Sequence, residues 1–560
     1  MNVIGQFAAA MKKASTRPAL ICGIGTDRRA LSYAELASRV DRAVQILRQS
    51  GLRPGNKVLL AVPLSIETYI AMLAVLKAGL VIQFIDPAHG IQTLARCLRA
   101  CPPGAIIATP AIMLLRFLSP ELRRIPKRFT VARSTGGAVN ICDGVSVDED
   151  QAIERRSIED SALLTFTSGS TGEPKAIIRT HGFLRNQFAV LRPVADLQSG
   201  DIDLVAMPMF VLFNLASGIT SVIPACNMKH PGKANPKILC TQLLQENVTR
   251  IVASPALLER LANHCQRTRI QLPAMRCIST GGGPVGPTLP SRLQTIAPGA
   301  RIRTVYGSTE AEPISCIDHQ AVSLADLDRT REGAGLLVGK PVAGCDVRII
   351  PNRCCKGLGS LTEEAFDRVA LATDEVGEIV VSGAHVLRGY ADSSRDAETK
   401  IDVDGILWHR TGDAGYFNER GQLWLVGRCN AAIRDDRGEI YPFQVEYAVS
   451  AVPGIRRAAL VAENDKRILV IETGGGTFSA DCLRVARCIA ARHIDRIIIV
   501  RRIPVDKRHG AKIDYPALHL LMLGPFARLR LGLIGILAQL HEAVHGWFRN
   551  VRAVVASRRS

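Results

Sequence analysis

Between Leu163 and Lys175 the chain reads Leu-Leu-Thr-Phe-Thr-Ser-Gly-Ser-Thr-Gly-Glu-Pro-Lys. An apolar run of strand character passes into a loop with four hydroxyls (Thr167, Ser168, Ser170, Thr171) and two glycines (Gly169, Gly172), and ends on Lys175. The glycines permit close backbone approach, so that amide N–H groups can point at phosphate oxygens. The hydroxyls add donors and Lys175 a mobile positive charge. A flexible linker does not sit between a buried strand and a basic apolar run such as residues 176–179. The lysine is out of Walker A spacing, so the loop is a different phosphate cradle. It requires a strand held in a sheet, with its loop at the sheet's edge.

The flanking sequence supplies that sheet. Ser32 and Glu35 have capping-box spacing, and Leu36, Val40, Ala43 and Leu47 then share one helical stripe before Gly51. Apolar runs at 58–62, 80–85 and 105–109 read as strands, with a helical stretch over 70–78. The alternation returns between Thr249 and Thr304. Strand, helix, strand with short breaks predicts a parallel, helix-covered α/β sheet. At 560 residues with 47% hydrophobic content, the chain exceeds one simple core, so two or more units are expected. Residues 351–375 read as a surface excursion before a strand at 377–382. A strand ends near Arg428, and a compact mixed segment of about ninety residues follows, the size of a small α+β domain.

The loop resembles the phosphate-binding motif of the adenylate-forming superfamily, which includes acyl-CoA synthetases, peptide-synthetase adenylation domains and luciferases. Its companions follow in order. Tyr306-Gly307-Ser308-Thr309-Glu310 resembles the adenine and metal motif. The resemblance implies that Tyr306 stacks on adenine, Thr309 contacts the α-phosphate and Glu310 binds Mg²⁺. Thr411-Gly412-Asp413 resembles the ribose motif, with Asp413 accepting from the 2′ and 3′ hydroxyls and Arg428 also reaching the ribose. Residues 504–513, with Gly510 and Lys512, resemble the C-terminal motif whose lysine serves the first half-reaction. The likeness covers about residues 20–515. It implies a large N-terminal AMP-binding domain with layered sheets and helices at 1–425, a small mobile α+β domain at 426–515 and a tail at 516–560. It also implies ATP and Mg²⁺ as cofactors, with Thr309, Glu310 and Lys512 catalytic and the loop residues, Lys175, Tyr306, Asp413 and Arg428 binding nucleotide.

The acceptor side departs from the superfamily's common pattern. Pro208-Met209-Phe210 is followed by Val211-Leu212-Phe213-Asn214, where acyl-CoA synthetases place a histidine. Phe210, Val211 and Phe213 fit core packing and a substrate pocket equally. No acidic residue stands where amino-acid-activating domains hold an amine, which favours an apolar acid. The hinge position is Asn430, and Arg434-Asp435-Asp436-Arg437-Gly438 carries the thiolation-loop glycine one place late, which leaves CoA use open. These departures, with residues 200–204, 218–224, 254–258 and Trp408-His409-Arg410, resemble the β-lactone synthetases of bacterial long-chain olefin biosynthesis. That resemblance implies a long-chain 2-alkyl-3-hydroxy acid closed to a β-lactone, and partner enzymes of the same lipid pathway. Three alternatives stay open: a long-chain fatty acyl-CoA ligase, an acyl-AMP ligase, and an inactive scaffold on the same fold.

Seventy Lys and Arg against 51 Asp and Glu leave a formal charge of +19. Such a surplus favours anionic partners. No aromatic-interleaved basic stretch or helix-turn-helix pattern accompanies it, so nucleic acid is not expected. The fifteen cysteines are dispersed, without zinc-ligand spacing, and read as free thiols of a reducing compartment. The N-terminus has no secretory pattern, and a cytoplasmic location follows. In the tail, Leu537, Leu540, Val544 and Trp547 recur at helical spacing with arginines beyond. A basic amphipathic helix that contacts a membrane peripherally, or docks on protein, is the expectation there.

Overall fold

The computed structural model describes residues 2–85, 90–117, 119–132, 138–142, 151–168, 174–228, 231–286, 288–352, 359–392, 396–463, 465–473, 494–505 and 513–522. The protein is α/β, with two large sheets and helices packed between and around them. In the seven-stranded sheet the order is Val139–Asn140, Lys127–Thr130, Ala105–Ala108, Lys57–Ala61, Val81–Phe84, Ser161–Ser168, Pro174–Thr180. All pairs are parallel except the last, so the carboxyl ends of the first six strands share one edge. The phosphate-loop segment leaves from that edge.

A second sheet of fifteen strands carries a parallel core of Pro18–Cys22, Thr220–Ile223, Ile202–Val205, Arg250–Ala253, Cys277–Gly281 and Arg301–Ser308. It continues antiparallel through Ala311–Asp318, Leu336–Pro341, Leu423–Arg428, Ile406–Phe417, Gly377–Ser382 and Asp346–Ile350. One core joins Val58, Leu60, Ile82 and Leu163 of the smaller sheet to Leu20, Val205, Ile223 and Val252 of the larger. Helix Ile66–Lys77 lies within it and is buried on nearly every face, which is why its sequence is apolar all round. The capping box on helix Tyr33–Gln49 forms as its spacing predicts, and Leu36, Val40, Ala43 and Leu47 are fully buried. The cysteines of the described residues are free thiols.

Segment 351–375 holds more structure than a surface excursion. Its helix Glu363–Val369 buries Phe366 against Trp408, with ring centroids 4.9 Å apart. One buried aromatic in an otherwise charged helix is too sparse a pattern to read as periodicity.

Beyond Arg428 a separate three-stranded sheet, Ile455–Glu463, Lys466–Thr473 and Arg496–Val500, packs on helix Pro442–Ser450. Glu446 of that helix is buried; the Leu460 amide and the Tyr515 hydroxyl donate to its Oε1 at 2.8 and 2.6 Å. Burial pushes its carboxyl up to about 7, against the lowering effect of those donors. A raised carboxyl pKa stabilises the fold fully below the unfolded value, and that contribution is lost as pH rises through the folded one. Wild-type thermal stability should therefore fall relative to Glu446→Gln between about pH 5 and 7. Parallel melting curves for the two proteins would show that Glu446 ionises normally.

No helix of the described residues is long and apolar enough to cross a membrane. The tail pattern at Leu537–Trp547 lies outside the described residues.

Candidate active site

Strands Arg301–Ser308 and Ala311–Asp318 form a hairpin whose turn residues are Thr309 and Glu310. The turn stands at the carboxyl edge of the parallel strands, the end of an open α/β sheet where ligands bind. Gly307 is required there, because a Cβ at this position would lie 2.8 Å from the Ala311 carbonyl oxygen. Tyr306, buried just before the turn, donates its hydroxyl to Asp413 Oδ2 at 2.8 Å. Arg428 Nε lies 3.0 Å from Asp413 Oδ1, and the two residues are paired in register on adjacent strands. Burial, then the Asp413 charge, holds the Tyr306 phenol well above its ordinary value, so it stays a donor. The Asp413 backbone is fixed in turn: its amide donates to Thr411 Oγ1, and Thr411 Oγ1 donates to the Ile379 carbonyl.

Lys175 opens the other wall. It faces Thr167 across the Ser161–Ser168/Pro174–Thr180 pair, and its Nζ lies 5.4 Å above the Tyr390 ring. The Tyr390 hydroxyl donates to Glu310 Oε1 at 2.9 Å, while its backbone bridges to Ile177. Tyr390 thus ties the lysine strand to the Glu310 turn. Arg179 makes a second tie, donating to the Thr309 carbonyl at 3.0 Å and to Thr165 Oγ1 at 3.3 Å. Its guanidinium is buried, which lowers its pKa, with Glu312 and Glu310 opposing the shift. Lys400 donates to the Leu387 carbonyl, and the Leu387 amide donates to the Glu310 carbonyl at 2.7 Å. Burial pulls the Lys400 ammonium down to about 8 against Asp396 and Glu310. Across the strand pair stands His409; burial, and then the Lys400 charge, pulls its imidazole well below the ordinary value.

The structure therefore brings Tyr306, Thr309, Glu310, Lys175, Asp413 and Arg428 to one cleft edge. Thr167 and Ser168 are the last residues of their strand. Gly169, Ser170, Thr171, Gly172 and Lys512 lie outside the described residues. Tyr390, Arg179, Lys400 and His409 are not marked as functional by the sequence. Tyr390 and Arg179 meet partners far away in the chain, while Lys400 and His409 face each other across one strand pair, and only the fold shows that all four support the Glu310 turn and its surroundings.

Among the described residues no cluster of three acidic, histidine or cysteine ligands could cage a metal. One carboxylate, Glu310, fits Mg²⁺, which keeps waters and takes one or two carboxylates together with substrate phosphates. Val211 and Phe213 are buried in the inter-sheet core, with Phe213 5.7 Å from Phe188, while Phe210 stays half-buried. Asn214 donates to Asp203 Oδ2 and Ser221 Oγ inside that core, a packing role. Arg434–Gly438 forms a tight hairpin in which Gly438 takes φ +101°. Its Asp435 is gripped by Arg467 at 2.6 and 2.8 Å, and Arg437 pairs with Asp495 at 3.0 Å.

The profile of the AMP-binding enzyme family matches residues 7–391. An olefin β-lactone synthetase of Xanthomonas campestris pv. campestris is 34% identical over 512 residues, covering 86% of this chain and 89% of that relative. A feruloyl-CoA synthase of an Amycolatopsis species is 28% identical, covering 78% and 82%. In fold, the chain is similar to the amide bond synthetase McbA of Marinactinospora thermotolerans, with a TM-score of 0.75, 21% identity and coverage of 92% and 99%. It is similar too to the O-succinylbenzoate coenzyme A synthetase of Bacillus subtilis in complex with ATP and magnesium, with a TM-score of 0.73, 20% identity and coverage of 92% and 99%.

Proposed function

The chain belongs to the AMP-binding enzyme family, and from that premise we propose that it activates a long-chain 2-alkyl-3-hydroxy acid with ATP and closes the product to a β-lactone. In the first step a carboxylate oxygen of the acid attacks the α-phosphorus, the bond to the β-phosphate breaks, and pyrophosphate leaves. The carboxylate and the nucleotide are both anionic, so much of the barrier is repulsion. Lys175, Lys512 and the loop amides would offset it by positioned positive charge. Asp413 and Arg428 would hold the ribose, and Tyr306 would lie against the adenine. Mg²⁺ held by Glu310 would neutralise charge on the phosphates. In the second step the acid's own β-hydroxyl oxygen attacks the acyl carbon, the bond from that carbon to the AMP phosphate oxygen breaks, and the hydroxyl proton passes to solvent as AMP departs. Well-oriented intramolecular attack reaches effective molarities of roughly 10⁵ M or more, so no second substrate is required.

The observation that carries the lactone reading over a CoA ligase is the likeness to the olefin β-lactone synthetase across 86% of this chain. The Arg434–Gly438 hairpin supports it: its glycine sits in a turn tied down by Arg467 and Asp495, a poor wall for a pantetheine arm. A CoA ligase is the second reading, favoured by the likeness to the feruloyl-CoA synthase. The test is incubation with Mg-ATP and a racemic long-chain 2-alkyl-3-hydroxy acid without CoA, with products identified by mass spectrometry. β-Lactone and AMP are expected. Acyl-AMP that turns over only when CoA is added, to a thioester, would replace the lactone reading with the ligase.

A further inference from the structure

At the carboxyl end of strand Ala105–Ala108 the chain makes a short helix, Pro110–Leu114, one tight turn, Leu115–Phe117, and a second short helix, Pro120–Arg123. The segment divides its apolar side chains sharply. Met113, Leu122 and Ile125 point inward and are 9%, 4% and 2% exposed. Leu114 and Phe117 point outward at 64% and 61%, with Leu115 beside them at 37%. Other exposed large apolar residues among those described do not occur in such a run. The turn is well braced: buried Ser119 caps the Leu122 amide, and Glu121 pairs with Arg99 at 2.6 Å.

Charge surrounds this apolar knuckle. Residues 110–124 contain Arg116, Arg123 and Arg124 against one acid, Glu121, which the Arg99 pair already neutralises. The Arg116 guanidinium lies 5.0 Å from the Phe117 ring centroid, and Arg123 donates to the Phe117 carbonyl. Arg123 and Arg124 are exposed. Protruding leucine and phenylalanine ringed by arginine is the chemistry of insertion into an anionic lipid interface, with the apolar tips among acyl chains and the guanidinium groups at headgroup phosphates.

We propose that the Pro110–Arg124 knuckle docks the protein on an anionic bilayer surface. The docking is independent of which acid is activated. The segment leaves strand Ala105–Ala108 at the sheet edge where Ser161–Ser168 also ends, with two strands between the two, and crosses to the amino end of Lys127–Thr130.

The experiment is co-sedimentation of the full chain with phosphatidylcholine vesicles, with and without phosphatidylglycerol. Wild type should bind the anionic vesicles and release at high salt. Leu114→Asp combined with Phe117→Asp should weaken binding at least about tenfold. Arg123→Glu with Arg124→Glu should abolish the preference for phosphatidylglycerol. Both variants should retain wild-type melting and pyrophosphate release with a soluble short-chain acid, because all four side chains are exposed and none is among the candidate site residues. Wild-type vesicle binding by the apolar variant would overturn the proposal and assign the affinity to the tail. Failure of wild type to bind either vesicle would overturn it as well, as would self-association without lipid that the apolar variant loses.

Discussion

Alanine in place of Glu310 is expected to cut pyrophosphate release about 10²–10³-fold while leaving the fold unchanged. Its carboxylate is placed by a two-residue turn and by the Tyr390 hydroxyl, and it packs no core. Truncation therefore removes the carboxylate and its Tyr390 tie without opening a core cavity. Glu310→Gln keeps the size and the Tyr390 partner but not the charge, so a loss close to that of alanine would identify charge as the active quantity. Both variants should also need more Mg²⁺ for half-maximal rate. Lys512→Ala should fall in the same direction through the opposite charge. Wild-type pyrophosphate release from Glu310→Ala would move the metal-binding role elsewhere.

The second large effect concerns stability. Arg250 is 1% exposed, 3.9 and 3.8 Å from Asp201 and Asp203, and donates to the Ala195 carbonyl at 2.7 Å. Arg250→Met keeps the apolar stem but leaves Asp203 buried without its cation, a change that costs about 3–5 kcal/mol. Burial already raises the Asp203 carboxyl, with Arg250 opposing. Without the arginine the carboxyl rises further and takes up a proton. A raised carboxylate stabilises at low pH and loses that contribution as pH rises through its folded value. The Arg250→Met deficit in urea unfolding should therefore be smaller at acid pH than at neutral pH. A deficit that does not change with pH would mean that Asp203 stays ionised and finds another donor.

The sequence displays the parts of the cleft that lie in unbroken stretches. Residues 163–175, 306–310 and 411–413 each pack several chemically committed residues into a short window, and the structure sets Lys175, Tyr306, Glu310, Asp413 and Arg428 along one edge. The helix at Tyr33–Gln49 was legible because a capping box and a four-residue stripe agree. Tyr390 and Arg179 were not, since Tyr390 meets Glu310 across 80 residues of chain and Arg179 meets Thr309 across 130. The run at 208–214 was ambiguous for a related reason. Apolar side chains facing a core and facing a substrate look alike in sequence, and only burial separates Phe213 from Phe210. Segment 351–375 hid its helix because a single anchor, Phe366, makes no period.

Arg428 closes strand Leu423–Arg428, the last of the fifteen-stranded sheet in chain order, and its partner Asp413 stands on the neighbouring strand. The Asp413–Arg428 pair therefore belongs wholly to the large sheet, and the chain enters the smaller sheet only afterwards. Substitutions within the three-stranded sheet leave both strands of that pair untouched. The pair and the smaller sheet can then be altered one at a time, as a latch can be reset without removing the bolt from its frame.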